Sequence, residues 1–126
     1  MSSRRGAQLI AAGRVGLGLA VLAAPEQLTR HWLGDGNAAL PVVGDLARGL
    51  GARDVALGLV ALQTLDDSVV GPRVQALAAF ADSADVLGTL LAREHLPRKG
   101  VVGTVLIAAG SAVAGFYFAH RLAHAD

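Results

Sequence analysis

The chain contains no cysteine, which removes disulfides, thiol nucleophiles and thiolate metal sites from consideration. Aromatic residues are scarce, with one Trp, one Tyr and three Phe, and no basic stripe carries aromatics set among its charges, so a nucleic-acid interface is not expected. Neither sign of charge is in excess: the formal net charge of +1 gives no general pull toward polyanions. Strand signals are also missing. The hydrophobic fraction of 53% is mostly Ala, Leu and Val in long runs, which read as helix, and 126 residues are enough for a single domain spanning 1–126.

Four apolar helical stretches are predicted, near residues 7–24, 42–64, 74–92 and 101–120. The first follows MSSRR and has the outline of a secretory signal, but Arg14 interrupts its apolar centre, so it is read as a retained helix. Pro25 closes it. Residues 26–41 form a connection with a turn signal at Gly34-Asp35-Gly36-Asn37, and Trp32 within it reads as an anchor at a membrane interface. Asp66-Asp67-Ser68 with Gly71-Pro72 marks the next turn, and Pro97 with Gly100 the one after. The last helix carries no charge from Val101 to Phe118, long enough to span a bilayer, and its Gly103, Gly110, Ser111, Ala114 and Gly115 offer a surface on which another helix, or a second copy of the chain, can pack.

The second helix is apolar enough to be buried yet holds Asp45, Arg48, Arg53 and Asp54. At mid-membrane each such charge costs about 2.5–3.5 kcal/mol, while a Leu or Val returns only about 0.3–0.6. The charges must therefore meet partners on other helices. Those partners are Arg14 in the first helix and, in the third, Asp82 and Asp85, which share a stripe with Gln75 and Thr89 at helical spacing. Three arginines (Arg14, Arg48, Arg53) face four aspartates (Asp45, Asp54, Asp82, Asp85), so one acid is left over; Asp82 or Asp85 is expected to keep a proton near neutral pH, or a bound cation takes its place.

Arg14, then Gly51-Ala-Arg-Asp54 with Leu-Gly-Leu after it, then Ala81-Asp-Ser-Ala-Asp85, is an order of features that resembles small, mostly uncharacterised bacterial four-helix integral membrane proteins. That resemblance implies an all-α, antiparallel four-helix transmembrane bundle in a bacterial cytoplasmic membrane, with an intramembrane cluster at Arg14, Arg53, Asp54, Asp82 and Asp85. It implies no particular activity.

From the residues, the expected function is binding of a lipophilic small molecule and its transformation by acid/base chemistry, such as isomerisation, cyclisation or epoxide opening. Asp82, Asp85 and Asp54 are the catalytic candidates; Arg14, Arg48, Arg53 and Gln75 orient them or the ligand. Two alternatives stand beside it, a proton-coupled exporter and a scaffold or assembly subunit. No cofactor is expected. No metal is either: His120 and His124 have the i, i+4 spacing of a zinc pair but lack a third ligand, and the single Asp82/Asp85 pair is too few carboxylates for magnesium.

Overall fold

The computed structural model describes residues 2–124, and among these no strand forms. Six helices follow in order: α1 (Ser3–Ala23), α2 (Pro25–Leu33), α3 (Asp35–Ala38), α4 (Pro41–Gln63), α5 (Val70–Leu91) and α6 (Arg98–Ala123). Three of them, α1, α5 and α6, are long and apolar enough to cross a membrane. The fourth long helix, α4, does not meet that criterion, and every 18-residue stretch of it holds at least three of Asp45, Arg48, Arg53 and Asp54.

Local chemistry sets the helix ends. α1 begins four residues before its predicted start because the Ser2 hydroxyl accepts from the Arg5 backbone N–H at 3.3 Å. Pro25 and Pro41 stand at the first turns of α2 and α4, where the missing N–H is not needed. The expected irregular connection from 26 to 41 is largely helical instead. Its turn is compressed into Gly34, whose φ of 84° only glycine adopts freely, and α3 follows at once. Gly71 and Pro72, read from sequence as a turn, lie in the first turn of α5.

Asp67 takes the capping role at α5: one of its carboxylate oxygens accepts from the Val70 and Val69 backbone N–H groups at 2.8 and 2.9 Å. Those bonds hold the Asp67 carboxyl below its usual pKa, because they favour the charged form. A carboxyl lowered in this way stabilises the fold at pH above its unfolded value and loses that contribution as pH falls through the folded value. Asp67→Asn is thus expected to lower the melting temperature at pH 7 and to flatten its decline toward acid; an unchanged acid limb in a pH series of thermal melts would remove Asp67 from this role.

The long helices associate mainly as two pairs, α1 with α4 and α5 with α6. α1 and α4 run antiparallel at backbone contact. A Cβ at Gly18 would lie 2.5 Å from the Gly51 carbonyl oxygen, one at Gly51 2.8 Å from that of Gly18, and one at Gly58 2.8 Å from that of Ala11. α5 turns back into α6 through the 3-10 turn Arg93–His95, and Gly115 meets Ala79 where the two helices lie closest.

The distribution of side-chain size is inverted relative to a protein that folds in water. The buried apolar residues are almost all alanines, and the largest side chain fully enclosed is Thr89. Leu9, Leu46, Phe80, Leu91, Leu106 and Val113 lie outside, each more than 60% exposed. Large apolar side chains outside suit contact with lipid, and small residues inside let the helices approach closely around a core as slight as Ala11, Ala61 and Val74.

Candidate functional site: an arginine–aspartate network beneath an apolar cleft

Arg14 on α1, Arg53 and Asp54 on α4, and Asp82 and Asp85 on α5 converge into one network. The Arg14 guanidinium donates from Nη1 to Asp54 Oδ1 at 3.2 Å and from Nη2 to Asp82 Oδ2. Arg53 forms a two-pronged pair with Asp85, Nη1 to Oδ1 at 3.0 Å and Nη2 to Oδ2 at 2.7 Å, and also reaches Asp54 Oδ1 from Nη2 at 3.1 Å. One oxygen of Asp54 is thus shared by both arginines. Burial is graded across the network: the side chains of Arg14 and Asp82 are 7% and 9% exposed, those of Asp85 and Arg53 26% and 30%.

The network joins the two helix pairs. α1 and α4 supply Arg14, Arg53 and Asp54, one net positive charge; α5 supplies Asp82 and Asp85, two negative charges. Direct packing between the pairs is sparse, so the guanidinium–carboxylate bonds carry much of what holds them in register. Two cations face three carboxylates in all. Asp85 gives both of its oxygens to Arg53, whereas Asp54 and Asp82 each give one.

Two of the sequence candidates lie apart. Arg48 stands on the outside of α4 with its side chain 52% exposed, 3.7 Å from Asp45 one turn earlier, and neither joins the network. Gln75 is buried where α5 passes α6, and its carboxamide nitrogen has no hydrogen-bond partner among the described residues. Removing the Arg48–Asp45 pair from the count of three arginines and four aspartates leaves the surplus of one acid intact.

Above the network lies a cleft of about 730 Å³ between α1, α2, α4 and α6. Its floor is the five charged residues; its walls are apolar, from Ile10, Leu17 and Val21 on α1 to Ile107 and Ala108 on α6. Leu17 and Ile107 line it and are exposed, so it is open along α1 and α6. The space exists because the facing residues are small. Gly13, Gly103 and Gly110 have nothing within 4 Å of where a Cβ would stand. Of the small residues in α6, Gly115 packs on α5 as expected for a helix-packing surface, while Gly103 and Gly110 border this cleft.

Charge reasoning missed the cleft's other polar residues: Thr29, His31 and Trp32 on α2, and Lys99, Thr104 and Ser111 on α6. A signal for the α6 set was present, since 100, 103, 104, 107, 108, 111 and 114 recur at helical spacing on one face. Trp32 is half-buried, and its indole N–H donates to the Thr89 hydroxyl at 3.2 Å, which ties α2 to the end of α5.

Comparison with protein-family models, with curated proteins and with solved structures returns no match for this chain.

Proposed function

We propose that the chain is an integral membrane protein, a single antiparallel four-helix transmembrane bundle, that takes a lipophilic small molecule into the lateral cleft and carries out acid/base chemistry on it at the arginine–aspartate floor. The observation carrying this reading is the cleft itself. Its volume falls within the roughly 300–1,000 Å³ of small-molecule sites, its walls are largely apolar, and five charged side chains converge at its floor. Supporting it are the apolar exterior, which suits α1, α5 and α6 to lipid contact, and the side opening, through which a molecule dissolved in the bilayer enters without crossing water.

Within the floor, Asp85 is fully engaged by Arg53, so proton transfer falls to Asp82, with Asp54 beside it and Arg14 holding both. Arg14 is one cation for these two carboxyls, and that shortfall is what lets the pair give a proton to the ligand or take one from it. Arg48 and Gln75 have no part in this chemistry.

The test is to purify the protein in a mild detergent and analyse the extractable small molecules by mass spectrometry. A lipophilic species is expected to co-purify with the unaltered chain and to fall about tenfold in Gly103→Leu or Gly110→Leu, which fill the cleft, while helicity is retained. Equal amounts in the filled variants would contradict the binding reading. Asp82→Asn is expected to retain a different species, the untransformed substrate, distinguished by chromatographic retention and fragmentation because isomerisation or cyclisation leaves the mass unchanged; an identical species would leave a binding protein without chemistry.

One observation favours a second reading. The network also clasps the two helix pairs, as a scaffold subunit would need. In that case the Gly103→Leu and Gly110→Leu variants lose nothing, and the Arg and Asp variants lose only stability.

A further inference from the structure

The charges along the cleft run in a definite order. Its floor carries two guanidinium groups against three carboxylates, and its remaining charged lining residue is Lys99, in the first turn of α6, with His31 of α2 also at that end. Gly100, the next residue, comes into backbone contact with Trp32 and His31, so α2 and the start of α6 together form the mouth. An anionic group is repelled by the floor, with its surplus negative charge, and attracted at the mouth.

The separation of the two ends follows from the helix register. Gly115 meets Ala79, and α5 and α6 run in opposite directions, so Asp82 and Asp85 lie level with about residues 112 and 109 of α6. Lys99 is ten to thirteen residues before that level, roughly 15–20 Å at the helical rise. The lining on α6 continues to Ala114, which makes the cleft roughly 22 Å long. That length suits an extended chain lying along the cleft.

We propose that the cleft takes a single-chain amphiphile with an anionic head, carboxylate or phosphate, seated at Lys99 and His31, and that a double bond or hydroxyl in the far part of the chain meets Asp82 and Arg14. This rests on the reading that the cleft binds a lipophilic molecule and adds to it the head group, its orientation and the position of the reacting group. The chain length between head and network acts as a ruler, so the enzyme selects a position along the chain.

Trp32, the only tryptophan in the sequence, lines the mouth and reports occupancy. The experiment titrates the purified protein with stearate carrying a nitroxide quencher either near the carboxylate or at the far end of the chain, and then competes with unlabelled stearate, octadecyl phosphate or methyl stearate. The near-head label is expected to quench Trp32 more than the far-end label. Stearate and octadecyl phosphate are expected to displace it, the better competitor identifying the head group, while methyl stearate does not. Lys99→Glu is expected to weaken binding on the order of tenfold. Stronger quenching by the far-end label would overturn the orientation. Displacement by methyl stearate equal to that by stearate, with no effect of Lys99→Glu, would overturn the anionic head while leaving a lipophilic site in place. Absence of specific quenching by either labelled chain would overturn both this inference and the binding reading beneath it.

Discussion

Replacing Arg14 with leucine is expected to cost about 3–5 kcal/mol of unfolding free energy, the range found when one member of a buried ion pair is removed. The size follows from what is left behind. Arg14 and Asp82 are the two most deeply buried members of the network, and Arg14 is the group through which Asp82 joins it, whereas Asp54 keeps a bond to Arg53. Asp82 then faces an apolar interior without a cation. Arg14→Lys keeps the charge but loses the fork that reaches two carboxylates at once, so an intermediate loss is expected. The double variant Arg14→Leu with Asp82→Asn is expected to be more stable than Arg14→Leu alone, because the stranded charge is gone. Chemical unfolding in mild detergent measures all three together with Asp82→Asn alone, and strictly additive losses would show that the two side chains do not act as a pair.

The second large effect lies at the α1/α4 contact, where the same substitution changes sign within one helix. Gly18→Ala places a methyl group 2.5 Å from the Gly51 carbonyl oxygen and 2.9 Å from a methyl of Val55, and backbone cannot move aside as a flexible side chain would. The helices must separate, at an expected cost of about 1–3 kcal/mol. Gly58→Ala, 2.6 Å from Val15 and 2.8 Å from the Ala11 carbonyl oxygen, is expected to behave alike. Gly16, two residues before Gly18, is exposed with nothing within 4 Å, so Gly16→Ala is expected to gain roughly 0.5–1 kcal/mol through helix propensity. Opening the α1/α4 pair also draws Arg14 away from Asp54, so Gly18→Ala and Arg14→Leu are expected to be less than additive. Thermal melts of these four variants and of the Gly18→Ala, Arg14→Leu double variant check both the signs and the coupling.

Much of this arrangement was legible in the sequence because charge in an apolar helix has few places to go. Arg14, Arg53, Asp54, Asp82 and Asp85 were gathered by that argument alone, and the structure places all five in contact. The same argument drew in Arg48 and Asp45, because composition does not record that they sit near the start of α4, where i, i+3 pairing and solvent satisfy them. Gln75 shares the stripe of Asp82 but lies two turns away along α5, so a common face did not mean a common site. The cleft was hidden for a different reason. A glycine that admits a neighbouring helix and one that leaves a void are identical in sequence; Gly115 does the first, against α5, Gly103 and Gly110 the second, and only the placement of the neighbouring helices separates the cases. Residues 26–41 were misread because Gly and Asn at Gly34-Asp35-Gly36-Asn37 signal a turn, while Leu28, Thr29 and Trp32 at helical spacing let α2 pack against its neighbours.

The central claim is that charges face inward and large apolar side chains face lipid. The absence of cysteine makes single-cysteine variants for spin labelling straightforward, with Leu77, Phe80 and Leu106 on the outer face and Ser68 in the connection between α4 and α5 as the reference. In liposomes, labels at Leu77, Phe80 and Leu106 are expected to collide readily with dissolved oxygen and hardly at all with a water-soluble nickel chelate, the reverse of Ser68. Equal access of the chelate to all four positions would mean that these helices lie in water, and the membrane bundle with its buried network would be contradicted.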